Sequence, residues 1–225
     1  MTLAKPLMKR NWGLVSLIFL FFFLFAVYVI REQKIKSEIK QFSEYHRETL
    51  PILMEQYPDC IGFLDIADSN VHYPIMQNAD NEYYLHHNMN GEESISGCIY
   101  MDSNHAIHKK GLHVIYGHHM KDGSMFKDVS RYLNAEYLET HLDIEITTPD
   151  RILSLTPVYC YADQADVSYR KKITEPQELS EFIISHTNQI IETDDLYVLI
   201  TCSYGGLDER TYLYCIPTLQ NTKSE

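Results

Sequence analysis

A cysteine at residue 202 closes the apolar run Tyr197-Val198-Leu199-Ile200-Thr201, and a histidine at residue 118 follows another, Val114-Ile115-Tyr116-Gly117. Runs of this length and composition read as buried strands, so each places a reactive side chain at a strand mouth. The thiolate is the nucleophilic form of cysteine, and a nearby imidazole or guanidinium favours it. Arg210 opens the next strand, eight residues beyond Cys202, and a hairpin would return its guanidinium beside the sulfur. A fixed cation there could also stabilise the oxyanion of an acyl-transfer intermediate.

Each residue also has a bland reading. A cysteine at a strand end is more often a small buried hydrophobe than a nucleophile. A histidine after glycine is commonly a solvated turn residue, and Arg210 could be a surface cation. His119 competes with His118 for the acid/base role. Cys60, Cys98, Cys160 and Cys215 fall inside β-rich segments and read as packing residues. Five cysteines without CxxC spacing point to neither a zinc knuckle nor a complete disulfide framework. His105, His108, His113, His118 and His119 invite a zinc reading, but no HExxH is present and no carboxylate spacing completes a site. Neither a metal nor another cofactor is expected.

These residues need a scaffold, and the order of elements supplies one. Short β-rich segments run over Cys60 to Ile66, Val71 to Met76, Gly97 to Met101, Leu112 to Tyr116, Leu142 to Thr147, Ile152 to Ala162, Leu196 to Cys202 and Arg210 to Ile216. Turns rich in Asn, Asp and Gly separate them, which points to a barrel or sandwich. Ser124 to Tyr137 reads as one or two short helices. Glu175 to Glu192, with Leu179, Phe182, Ile183 and Ile190 near helical spacing, reads as a helix inserted before the Cys-bearing strand. Residues 31–57 read as an amphipathic helical segment, interrupted at Pro51 and resumed to Tyr57.

The chain has 225 residues, and an uncharged block from Asn11 to Ile30 gathers many of its apolar side chains at one end. At about 1.5 Å per residue a helix there crosses a hydrocarbon core of roughly 30 Å. A cleaved signal peptide is the competing reading, but the run offers no convincing small-x-small cleavage pair. The expected organisation is a cytoplasmic N-terminus over residues 1–10, a transmembrane anchor over 11–30, a helical segment over 31–57 and one catalytic β-barrel domain over 58–225. Lys5, Lys9 and Arg10 precede the anchor while Arg31, Lys34, Lys36 and Lys40 follow it, so charge counting leaves the orientation open. The net charge of −12 argues against nucleic acid as a partner.

Taken together, Tyr116-Gly117-His118 with Met120-Lys121-Asp122-Gly123-Ser124-Met125-Phe126, and Thr201-Cys202 with Arg210, resemble the signature of the sortases, specifically class B. Tyr73-Pro74-Ile75, Asp80-Asn81-Glu82-Tyr83-Tyr84-Leu85 and Gly97-Cys98-Ile99-Tyr100-Met101-Asp102 extend the resemblance across most of Tyr57 to Ile216. The single anchor, the lack of a lid with an Asp-Pro-aromatic motif and the Glu175 to Glu192 helix favour class B over classes C and A. Ile200 stands where many class B enzymes carry serine, which puts a substrate contact at that position in doubt.

The resemblance implies an eight-stranded β-barrel outside the cytoplasmic membrane of a Gram-positive bacterium, N-terminus in and enzyme out. It implies a cysteine transpeptidase of the thiol-protease type, with Cys202 as nucleophile, His118 as acid/base and Arg210 holding the substrate carbonyl. The expected partners are surface proteins bearing a C-terminal sorting signal, cleaved after Thr through a thioester, and a peptidoglycan stem or cross-bridge amine. Asn81, Leu85 and Thr201 are expected to touch substrate, with Tyr169 and Tyr204 as further walls of the groove. The alternatives are a pilus-assembling transpeptidase using a pilin lysine, a membrane-tethered cysteine peptidase, and a non-catalytic binding module.

Overall fold

The computed structural model describes residues 12–43, 47–202 and 208–218, without the side chains of 12–15, 35, 38–43, 47 and 202. The chain divides into two compact units, Met1–Lys40 and Gln41–Glu225.

In the first unit the apolar block forms α1 (Trp12–Ser43), which continues well beyond the Ile30 at which the anchor was expected to end. Nothing between Ile30 and Ser43 is a proline or glycine, so no residue there breaks the backbone ladder. Its stretch Ser16–Lys34 is long and apolar enough to cross a membrane, and Leu17, Phe19, Phe21 and Phe23 are exposed along it. An anchor and a signal sequence both satisfy that description.

In the second unit a 3₁₀ turn (Arg47–Thr49) leads into α2 (Leu50–Gln56), which buries Leu50 and Leu53. Pro51 does not interrupt this helix but starts it, because the proline's missing N–H falls in the first turn, where no intrahelical partner exists.

Eight strands follow: β1 (Cys60–Ile66), β2 (His72–Met76), β3 (Ile99–Met101), β4 (Gly111–Gly117), β5 (Ile144–Thr147), β6 (Ile152–Gln164), β7 (Asp195–Cys202) and β8 (Glu209–Pro217). They close into a barrel in the order β1-β2-β3-β4-β7-β8-β6-β5, so the expected eight-stranded barrel is present. The β2–β3 and β4–β7 pairs are parallel and the others antiparallel. Parallel pairs require long crossovers. The first carries a short helix the sequence did not suggest, α3 (Tyr83–His86). The second holds a 3₁₀ segment (Phe126–Leu133), α4 (Ala135–Thr140), β5, β6, a 3₁₀ turn (Val167–Arg170) and α5 (Pro176–Thr187).

Packing on both faces of β4 and β7 explains why both strands are mostly apolar. Ile115, Tyr197 and Leu199 belong to the main core with Leu213 and Cys215. Leu112, Val114, Leu196, Val198 and Ile200 instead pack with Leu179, Phe182 and Ile183 of α5. A strand covered on both faces carries no polar alternation. α5 is shorter than expected: Asn188 adopts a left-handed conformation, φ 53°, and ends it. Ile190, counted into the helical spacing, lies past that end and is 82% exposed.

Candidate active site

Register brings the three candidate residues to one end of three adjacent strands. β4 and β7 run parallel with Gly117 opposite Thr201, so His118 and Cys202 are the next residues out of the same barrel end. β8 returns antiparallel to β7 with Cys202 opposite Arg210. The Cys202 side chain and Tyr204 lie outside what the structure describes.

The imidazole of His118 is half-buried, and its Nε2 lies 2.9 Å from the backbone carbonyl of Leu85. A carbonyl can only accept, so Nε2 carries the proton and, in the neutral ring, Nδ1 is the bare basic nitrogen. Burial lowers the His118 pKa below its ordinary value, and the positive charges of His86 and Arg210 lower it further, against the Leu85 hydrogen bond. The Leu85 carbonyl is presented by α3, which is tied down by the Cys98 N–H donating to the Tyr84 carbonyl at 2.8 Å. For Leu85, expected to contact substrate, the structure shows a backbone contact with His118 instead. No side-chain pattern signals a carbonyl, which is why the sequence did not reveal it.

The loop after His118 is equally constrained. The Phe126 N–H donates to the His118 carbonyl at 2.8 Å, closing the turn. The Met125 N–H donates to the Tyr73 hydroxyl at 3.1 Å while Met125 itself sits at φ 56°, ψ −135°. That conformation costs a methionine about 1–3 kcal/mol and persists only when the surroundings impose it. His119 is 9% exposed and bridged through its backbone to Met125.

Asn81 is held rather than free to rearrange. Its Nδ2 donates to Asp102 Oδ2 at 2.8 Å and its Oδ1 accepts from the Ser103 N–H at 2.8 Å. Asp102 is fully buried and also accepts from the Tyr116 hydroxyl at 3.0 Å and the Asn104 N–H at 2.9 Å. A buried carboxylate with three donors is well compensated. It links the α3 approach to β3 and β4, a role absent from the sequence reading although Asp102 directly follows the apolar strand Ile99-Tyr100-Met101.

Arg210 is 30% exposed on its side chain and its Nη2 meets Asp208 Oδ1 at 2.8 Å. Thr201 is 2% exposed with its Oγ1 buried, so its side chain is not on an open groove surface. Tyr169 is not brought to the site as an exposed wall. It is 1% exposed, its hydroxyl joins those of Tyr161 and Tyr214, and its ring packs on Phe182 and Tyr212.

The other four cysteines are free and at least partly buried. Burial pushes the Cys60 thiol up to about 11, Cys160 up to about 12, and Cys215 well above the ordinary thiol range. Thiols held protonated in this way are poor nucleophiles. Among the described residues, no group of three or more His, Cys, Asp or Glu is placed to hold a metal ion.

No family model matches the chain. Sortase B of Listeria monocytogenes is 43% identical over 98 residues, which span 42% of this chain and 39% of the Listeria protein. Sortase B of Staphylococcus aureus is 24% identical over 179 residues, 78% of this chain and 72% of the relative. Among solved structures, a mutant form of Clostridium perfringens sortase B superposes with a TM-score of 0.69 at 22% identity, covering 76% of this chain and 87% of that one. Listeria monocytogenes sortase B superposes at 0.63 with 27% identity, over 74% and 99%. Both relatives and these solved structures are class B sortases, and the chain is similar to them in sequence and in fold.

Proposed function

We propose that the chain is a cysteine transpeptidase that cleaves a C-terminal sorting signal after Thr and passes the acyl group to an amine of peptidoglycan. The carrying observation is the convergence of His118, Cys202 and Arg210 at one end of β4, β7 and β8. In this reading the Cys202 thiol gives its proton to His118 Nδ1 and the thiolate adds to the carbonyl carbon. Arg210 stabilises the resulting oxyanion. His118 protonates the departing amine as the C–N bond breaks and a thioester remains, then takes a proton from the incoming amine as the C–S bond breaks. A sortase B structure described as a substrate complex and another complexed with triglycine support a peptide donor and an amine acceptor for proteins of this fold.

Localisation belongs to the same reading: α1 anchors the chain with its N-terminus in the cytoplasm and the barrel outside. The direct test incubates the detergent-solubilised full chain, and its Cys202→Ala variant, with a panel of sorting-signal peptides and an added amine. Wild type should give ligated product through a mass-detectable thioester and the variant none. Cleavage by the variant at the wild-type rate would sink the proposal. Cleavage by wild type with no ligated product at any amine concentration would instead mark a peptidase.

A further inference from the structure

A cavity of about 780 Å³ opens directly on His118 and is lined by His86, His87, Glu93, Ser94 and Ile95. Its far wall is a tight hairpin. The Ser94 N–H donates to the His86 carbonyl at 2.8 Å, the Asn88 N–H to the Glu92 carbonyl at 2.9 Å, and His87 bridges Glu93 through the backbone. Asn88 Oδ1 accepts from the N–H groups of Asn90 and Glu92 at 3.0 and 3.1 Å, and Gly91 takes φ 76° at the turn. The wall is therefore fixed before any ligand arrives, which limits the entropy lost on binding.

With histidines counted neutral, Glu93 is the one charged residue among those lining the cavity. It is exposed, and among the described residues no ion pair or hydrogen bond engages its carboxylate. Ile95, 44% exposed, supplies an apolar surface beside it. A carboxylate next to an apolar wall, opening on the proton-accepting imidazole, suits a primary ammonium carried on a short aliphatic stem. The chain's net charge of −12 adds long-range attraction for such a cation.

We infer that this cavity is the docking site of the incoming amine, with Glu93 holding the acceptor's ammonium beside His118. The inference rests on the transpeptidase reading. The ammonium gives one proton to solvent as it leaves Glu93, and its nitrogen lone pair adds to the thioester carbonyl carbon. His118 takes a second proton from that nitrogen, and the C–S bond breaks to return the Cys202 thiolate. Glu93 touches only the acceptor and takes no part in forming the thioester.

The test compares full-length wild type with Glu93→Gln and Glu93→Asp, using a sorting-signal peptide the wild type cleaves and triglycine, meso-diaminopimelic acid or neutral hydroxylamine as acceptor. Glu93→Gln should raise the KM for triglycine and diaminopimelic acid roughly tenfold, the loss expected of one charge-assisted contact. The rate of thioester formation and the KM for hydroxylamine should stay at wild-type values, and Glu93→Asp should restore part of the amine affinity. Normal thioester formation with an unchanged amine KM in Glu93→Gln would overturn the docking site and leave the transpeptidase reading standing. No thioester in wild type would remove both.

Discussion

Cys202 and Arg210 face each other as the last antiparallel pair where β7 and β8 meet, while Gly117 opposes Thr201 on the other side of β7. A residue pair fixed by sheet register cannot drift apart without breaking the ladder, so the Arg210 side chain is anchored at a backbone position opposite that of Cys202. Its head is steadied by Asp208 at 2.8 Å. The planar fork should therefore matter as well as the charge. Arg210→Lys keeps the charge and loses the fork, and is expected to lower kcat/KM for peptide cleavage by about 10²-fold, in the range seen on losing one oxyanion donor. Steady-state cleavage assays read this directly. A lysine variant within twofold of wild type would show that charge alone suffices.

His118 should titrate below the ordinary imidazole value of 6.5, since burial, His86 and Arg210 all disfavour its cation. Removing one of those charges by Arg210→Gln is expected to move the midpoint up, read from the ring C–H resonances by NMR across pH. The linkage sign follows. A depressed pKa means the unfolded chain binds the proton more readily, so the stability contribution is complete above pH 6.5 and falls away as pH drops towards the folded value. A midpoint that ignores the loss of Arg210 would disconnect the two residues electrostatically.

Tyr169 separates a packing role from a substrate role. Its hydroxyl stands between those of Tyr161, at 2.6 Å, and Tyr214. Tyr169→Phe should cost about 1–2 kcal/mol by leaving buried hydroxyls without that partner, a fall in Tm of a few degrees for a domain this size. Peptide KM should change little. A large rise in KM with unchanged Tm would return Tyr169 to the groove.

The barrel was largely legible because its strands carry their own signals. β-branched and apolar runs bounded by Asn, Asp and Gly marked all eight, and the covered β4 and β7 read as mostly hydrophobic stretches. The helix ends were less so. Asn188 could sit in a helix or cap one, and only its left-handed φ decides. At the site, Cys202, His118 and Arg210 were visible as chemistry, whereas their convergence depended on the parallel β4–β7 pairing, which no local pattern encodes. The Leu85 carbonyl and the Asp102 hub were hidden for a related reason. One is backbone, and the other looks like any aspartate after a strand until Asn81, Tyr116 and Asn104 converge on it.

Gly117 offers the sharpest link between packing and catalysis. A Cβ added there would lie 2.4 Å from Ile99 Cδ1 and 2.7 Å from the Phe126 ring, both fully or almost fully buried. Neither neighbour can retreat freely: Ile99 is pinned in β3, and the Phe126 N–H closes the loop onto the His118 carbonyl at 2.8 Å. The clash must therefore be relieved partly by moving the strand end that carries His118. Gly117→Ala is expected to cost about 1–3 kcal/mol, as overpacking does. If His118 is the acid/base group of the proposed mechanism, displacing it should lower kcat as well, since geometric errors of about 1 Å at a reacting centre cost on the order of 10²-fold. Thermal denaturation and cleavage kinetics on the same preparation test both halves, with the assay run well below the variant's Tm. A variant that loses stability but keeps wild-type kcat would show that the core yields around Ile99 and Phe126 while His118 stays where the Leu85 carbonyl holds it.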